Sequence, residues 1–330
     1  VVVAFLALWA VGLSQLVQAI AHLMKNSRLN GVRIAWSGAA ALMLSIGVIF
    51  VQQDITLIHI YSRPHSTTQV TQWFDGSPPN EGIVMMFDAS HFNTLWNRLW
   101  GYYLGSKSYE WWLIQFDELA QSTPEEYVER NIRWFVVSEN DLSTRDIPNV
   151  DEIRAYLSTL LLVKTIDPPW EDAQGGTFRI YRFEHPDLPV EADFGGQIRL
   201  IGLDMDAPSG EIPPGTLLHI RPYWQIDQPI TQNYTMFVHL YSTAAESAGT
   251  PEVLTQWDGE PITNGNRPTS LWTDTREVYF GEPFAFTLPA ELPPGEYVIV
   301  IGLYNTVTGE RLTNADGSTY FRIPLSLGGS

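Results

Sequence analysis

The stretch PPGEYVIVIGLY, Pro293–Tyr304, sets the pattern of the C-terminal half of the chain. A Pro-Pro-Gly turn signal leads directly into a β-branched and aromatic run, the combination expected of a strand leaving a tight turn. The same alternation of turn and run recurs at Ile198–Leu203, Leu217–Ile226, Thr235–Tyr241, Glu277–Leu288 and Tyr320–Leu325, with further turns at Pro213-Pro214-Gly215 and Asp316-Gly317. Helical periodicity is absent from about Pro186 onward. Short strands at this spacing predict an antiparallel β-sandwich over residues 190–327, and about 140 residues is the size of one domain.

Upstream, residues 61–185 read differently. Gly82–Phe87 and Arg133–Ser138 are short buried strands, and Val163–Ile166 and Thr177–Phe183 supply two more, the last in clean alternation. Thr123-Pro-Glu-Glu126 is a helix start, with Thr123 as N-cap, Pro124 at the first helical position and Glu126 placed to close a capping box. Val150–Leu162 has helical periodicity. Strands alternating with helices predict a small α/β domain. Glu184–Pro189 reads as the linker to the sandwich.

The first 60 residues complete the expected fold class: a multi-domain membrane protein with two transmembrane α-helices, a small α/β domain and an antiparallel β-sandwich. Ile34–Val51 is uncharged, just long enough for the hydrocarbon core, and rich in the small residues that let membrane helices approach closely. Residues 1–24 are apolar at first and then carry Ser14, Gln15, Gln18 and His22, polar groups that face protein or water in a membrane helix. Lys25, Arg28 and Arg33 between them form a basic hinge, which the positive-inside rule places in the cytoplasm. Residues after about 52 are then extracytoplasmic, at a bacterial cell membrane. The chain begins without an initiator Met, so the first helix is expected to continue upstream.

The formal net charge is −18, and three of the 19 basic residues lie in that hinge. So acidic a surface repels nucleic acid, which is excluded as a partner. There is no cysteine, hence no disulfide framework and no cysteine-based metal or redox site.

Three groups of residues resemble the C-terminal part of the bacterial GT-C membrane glycosyltransferases, of the dolichyl-phosphate-mannose protein mannosyltransferase type. The first is Thr67–Phe74 with Ser77-Pro-Pro79 and Gly82-Ile-Val84, similar to the helix, proline-rich turn and strand that follow the last membrane helix in that family. The second is Pro124-Glu-Glu-Tyr127 leading into Asn131–Val136. The third comprises Phe237-Val-His-Leu240, Trp257-Asp258, Pro268-Thr269, Trp272, Pro294–Tyr297, Gly302-Leu-Tyr304 and Arg311-Leu312, which resemble an appended β-sandwich. The family's catalytic acids and lipid-phosphate site lie in parts that this chain does not contain. The resemblance therefore implies a non-catalytic portion of such an enzyme, with no catalytic residue and no cofactor here. Implied partners are the lipid bilayer, other transmembrane helices of the same protein or of partner subunits, and a glycan or polyprenyl-phosphate sugar. A non-enzymatic accessory subunit of a bacterial membrane complex and a carbohydrate-binding surface module fit the same sequence.

Individual residues point to little chemistry. The acids of Asp117/Glu118, Glu125/Glu126 and Asp151/Glu152 sit at or near helix starts, where they complement the helix dipole. Asp204, Asp206 and Glu211 form a D-x-D-x4-E cluster with enough oxygen for Ca²⁺ but without the EF-hand pattern, and a solvated turn is the favoured reading. Asp258, Glu260 and Asp274 stand alike. The seven histidines show no zinc spacing, and His239 reads as packed into a strand. Aromatics are the enriched class, with 12 Trp, 14 Tyr and 15 Phe. Trp96, Trp100, Trp111 and Trp112 crowd one stretch that fits core packing, an interfacial belt or a sugar- or lipid-facing groove. Trp257 and Trp272 pose the same choice in the sandwich.

Overall fold

The computed structural model describes His22 and residues 66–76, 81–87, 109–115, 118–144, 149–168, 176–206, 211–244, 252–262 and 267–328. The chain divides into two compact units, Val1–Arg63 and Pro64–Ser330. The segments expected to cross the membrane, 1–24 and 34–51, lie outside the described residues apart from His22. The expected fold class is corrected. Among the described residues no helix is long and apolar enough to cross a membrane. The longest helix among them has 11 residues, and among the described residues β-structure in three sheets dominates.

Pro64–Ser330 is a stack of four layers. The first sheet has the order β2-β1-β3-β5-β4, built from β1 (Ile83–Phe87), β2 (Glu110–Ile114), β3 (Ile132–Ser138), β4 (Leu161–Ile166) and β5 (Phe178–Arg182). Strand β1 runs parallel to β2 and β3, while β5 runs antiparallel to β3 and β4. Both faces of this sheet are buried, which is why its strands read as continuous apolar runs. On one face Ile83, Met85 and Phe135 meet Tyr127 of α2 (Pro124–Glu129) and Ile153 and Leu157 of α4 (Val150–Leu157). A short α3 (Glu139–Thr144) follows β3. On the other face Val84, Trp134, Val136 and Ile180 meet α1 (Ser66–Gly76), whose Val70, Trp73 and Phe74 fall at i, i+3 and i+4.

The sandwich supplies the remaining cover of that second face. Its inner sheet, β12-β9-β7-β6, and outer sheet, β11-β10-β13-β14-β8, enclose the largest core. The strands are β6 (Leu188–Phe194), β7 (Ile198–Met205), β8 (Glu211–Ile212), β9 (Leu217–Ile226), β10 (Tyr234–Ser242), β11 (Thr255–Gly259), β12 (Phe284–Thr287), β13 (Gly295–Asn305) and β14 (Phe321–Leu327). Along β9, Leu218, Ile220, Trp224 and Ile226 face the sandwich core, and Tyr223 faces the α/β sheet. The sheet of the sandwich thus stands where a second helical layer covers most parallel sheets.

Several elements follow the sequence closely. Thr123 caps α2, with Thr123 and Glu126 closing the capping box. Others differ for local reasons. Helix α4 ends at Leu157 rather than Leu162, because the Ser158 and Thr159 hydroxyls donate back to the carbonyls of Ala155 and Tyr156. The run Glu277–Leu288 is a strand only over Phe284–Thr287. Gly281 and Pro283 interrupt it, and proline cannot donate to a ladder. Its first part instead bridges the layers: the Val278 N–H donates to the Val163 carbonyl of β4 at 2.8 Å. Val278 and Phe280 pack on the α/β side and Tyr279 on the sandwich side.

The stretch Glu184–Pro189 is fixed throughout. Glu184 pairs with Arg133 and Arg182, a ring nitrogen of His185 lies 2.7 Å from the Thr159 carbonyl oxygen, and the Asp187 N–H donates to Asp204. Pro186 lies on Gly202, where an added Cβ would stand 2.4 Å from the ring carbons. Gly202→Ala is expected to lift Pro186 off β7 and to cost about 1–3 kcal/mol, the usual range for overpacking. Urea unfolding of the full chain checks this, and an unchanged midpoint would contradict the seating of Pro186.

Candidate functional site

Charged side chains do not enter a sheet–sheet interface without partners, since desolvating an unpaired charge is prohibitive. Two networks cross the boundary between the α/β sheet and the sandwich. β-Bulges place one key residue in each. In β7 the register shifts between Leu200 and Gly202, so Asp204 turns from the sandwich core toward the α/β sheet. In β4 it shifts between Leu162 and Lys164, and the Lys164 side chain turns toward the sandwich.

The first network centres on Glu81, just before β1. Its carboxylate accepts from Arg182 of β5 at 3.0 Å and pairs with Arg221 of β9. Its carbonyl accepts from the indole N–H of Trp134 at 2.9 Å. Asp204 accepts from Arg221 and, at 2.6 Å, from the Tyr223 hydroxyl. The Arg182 guanidinium stands 5.5 Å from the ring centre of Trp134 and 5.2 Å from that of Phe280, in cation–π range. Burial, with Asp204 alongside, pushes the Tyr223 hydroxyl well above its ordinary pKa, so it acts as a neutral donor.

The second network borders a cleft of about 330 Å³, lined by Gln69 and Trp73 of α1, Lys164–Asp167 at the end of β4, and Asp274 and Arg276 of the bridging segment. Lys164 Nζ donates to Asp274 at 2.9 Å and to Glu277 at 2.6 Å. Glu277 is 1% exposed and also accepts from Arg267 at 2.7 Å and from the Trp73 indole at 2.9 Å. At the mouth, Arg276 pairs with Asp167 at 2.7 Å and with Asp274 at 3.5 Å. Tyr279 stacks on Trp272 with ring centres 4.6 Å apart and carries the Arg267 guanidinium over its ring. Burial of Glu277 pushes its carboxyl up, but the paired Arg267 and Lys164 outweigh this and hold it below the ordinary 4.5. Asp274 is likewise net lowered: its burial is outweighed by the hydrogen bonds from Lys164 and the Arg276 N–H.

The residues singled out in the sequence are dispersed. Asp204 belongs to the first network, Asp206 pairs with His219 at 2.7 Å, and Glu211 lies on β8 at the sheet edge. Among the described residues no three His, Asp or Glu side chains form a metal-ligand group. Trp272 is fully buried. Trp257 stacks on Phe284 at 4.3 Å, and its indole folds over Gly259. Trp111 is half-buried beside Phe74. Trp112 is exposed, its indole donating to Glu110. Trp96 and Trp100 lie outside the described residues. Of the acids weighed with the Ca²⁺ candidates, Asp274 alone joins the cleft. His239 is buried in β10, with a ring nitrogen 3.0 Å from the Tyr241 hydroxyl, and burial lowers its pKa.

No protein-family model matches the chain, and no curated protein matches it. Among solved structures, the C-terminal domain of Wzt is 14% identical over 44% of this chain and 83% of its own, with a TM-score of 0.31. A Niemann-Pick type C2 protein from the Japanese carpenter ant is 10% identical over 44% of this chain and 98% of its own, at 0.26. β-Glucuronidase 2 of Bacteroides uniformis, covalently bound to cyclophellitol-6-carboxylate aziridine, is 15% identical over 43% of this chain and 15% of its own, at 0.19. Scores this low leave the function to be argued from the residues of this chain.

Glu277→Gln leaves Lys164 and Arg267 short of a buried countercharge, and is expected to cost about 3–5 kcal/mol at neutral pH. Because the folded pKa values of Glu277 and Asp274 lie below the unfolded ones, their contribution is complete above about pH 4.5 and is lost as pH falls through the folded values. Urea unfolding as a function of pH should therefore show stability falling below about pH 4.5, less steeply in the variant. A cost under about 1 kcal/mol for the variant would contradict the network.

Proposed function

We propose that Pro64–Ser330 is a non-catalytic extracytoplasmic portion of a polyprenyl-phosphate-sugar-dependent glycosyltransferase, and that it positions the acceptor while sugar transfer takes place elsewhere. The observation that carries this reading is the state of the ionisable groups at the cleft: Lys164, Asp167, Asp274 and Arg276 are all held in ion pairs. Lys164 Nζ is committed to two carboxylates, and Asp167 and Asp274, held below the ordinary carboxylate range by their partners, lack the poised proton of a general acid. Such a cleft binds rather than reacts. The stretches that resemble the GT-C family support the same reading, because Thr67–Phe74 lies in α1, which walls the cleft, and Gly82-Ile-Val84 leads into and forms β1 beside Glu81. The acidic, cysteine-free composition suits an extracytoplasmic setting in bacteria.

The test uses the full chain immobilised and offered bacterial cell-envelope glycoconjugates and polyprenyl-phosphate sugars in turn. The expected result is retention of envelope glycoconjugates with no turnover of the sugar donors. Turnover by the chain itself, or a failure to retain any envelope glycan, would overturn the reading.

A further inference from the structure

We infer that the cleft between α1, the end of β4 and the Asp274–Arg276 turn binds a neutral sugar ring. This rests on the acceptor-positioning reading for its biological setting, while the chemistry comes from the cleft alone. At about 330 Å³ the space is at the lower end of small-molecule sites, which suits one or two sugar units.

Charge selects the class of ligand. Lys164 and Arg276 are balanced by Asp167 and Asp274 at the cleft, and Arg267 meets Glu277 behind it. An anion would face two carboxylates, and a cation would face an ammonium and a guanidinium. Either would have to compete with existing pairs. A neutral polyol does not, because carboxylates retain acceptor sites beyond their ion pairs. Asp167 receives Thr177 on one oxygen and Arg276 on the other, and each oxygen has a second lone pair for a sugar hydroxyl. Among the described residues Arg276 engages its Nη1 and Nε, leaving Nη2 to donate. The Gln69 amide offers both a donor and an acceptor. These planar groups hold the alternating donors and acceptors that a ring of hydroxyls requires.

The arrangement is also stiff. Exposure of the side chains falls from 52% at Arg276 and 48% at Asp167 to 23% at Asp274 and 14% at Lys164. The two groups at the mouth pair with each other, and Arg276 is tied inward through Asp274, which also holds Lys164. The indole N–H of Trp73 is committed to Glu277, which fixes its ring as part of the wall. The inner part of the site is ordered before a ligand arrives, which limits the side-chain entropy that opposes binding.

Isothermal titration of the full chain with gluco-, galacto- and manno-configured neutral disaccharides, and with a uronate-containing disaccharide, tests the inference. At least one neutral sugar is expected to bind, with affinity reduced about tenfold or more by Arg276→Ala, reduced severalfold by Gln69→Ala, and unchanged by Arg199→Ala on β7, which does not line the cleft. The uronate is expected to bind at least about tenfold more weakly than its neutral counterpart. Far-ultraviolet circular dichroism establishes that each variant is folded. No neutral sugar binding, binding that survives both cleft substitutions, or tighter binding of the uronate would each overturn the inference. Envelope glycoconjugates still retained by Arg276→Ala would also overturn it and leave acceptor positioning standing. Neutral sugars bound in the cleft without any retention of envelope glycoconjugates would do the reverse.

Discussion

Everything on this side of the chain depends on the pairing of charges between two sheets that belong to different halves of the sequence. Glu81 precedes the first strand of the α/β sheet, and it holds Arg182 of that sheet together with Arg221 of the sandwich. The two arginines are 3% and 6% exposed; Arg182 also pairs with Glu184 of its own half, whereas Arg221 takes Glu81 from the other half. Buried ion pairs add little net stability, because desolvation offsets most of the attraction, but breaking one is costly. We read them as setting the register in which the layers meet. Aromatic packing then fills the interface, with Trp134 and Phe280 stacked 6.0 Å apart across it.

The same constraint explains the irregularities. A regular β7 would point Asp204 into the sandwich core, and a regular β4 would point Lys164 at the helices. One extra residue in each strand turns both charges into the interface, where their partners stand. The interrupted run after Asp274 serves the same end. Interrupted by Gly281 and Pro283 and held to β9 through the Tyr279–Trp224 bridge, it carries Glu277 to Lys164 and joins its backbone to Val163. The cleft is the outer margin of this arrangement, and it inherits its fixed geometry from the buried charges behind it.

Much of the strand pattern was legible in the sequence. Leu217–Ile226 is β9 as its composition suggests, and the Thr123–Glu126 spacing gives the capping box of α2. The candidate site was less so. Its signal was present as charges inside apolar strand runs: Lys164 in LLVKTI, Arg182 in FRIYR and Arg221 in LLHIRPYWQI. Lys164 is the single lysine among the described residues. A charge in such a run needs a buried partner, yet nothing local names it, since Lys164 and Glu277 are 113 positions apart. The tryptophans left core packing and a binding platform both open, and the fold settles Trp272 and Trp224 in the sandwich core. Glu184–Pro189 resembled a linker because proline and charge mark linkers, but here Glu184 and His185 are bonded to the α/β half and the Asp187 N–H to β7 of the sandwich.

The central claim is that the α/β sheet and the sandwich are one cooperative body. Hydrogen exchange of the full chain, followed peptide by peptide, tests it most directly. The account expects the amides of 183–189 and 277–280 to be protected together with β3 and β9, opening only when the whole unit unfolds. Rapid exchange in those two segments while β3 and β9 remain protected would mean that the halves part freely, and would contradict it.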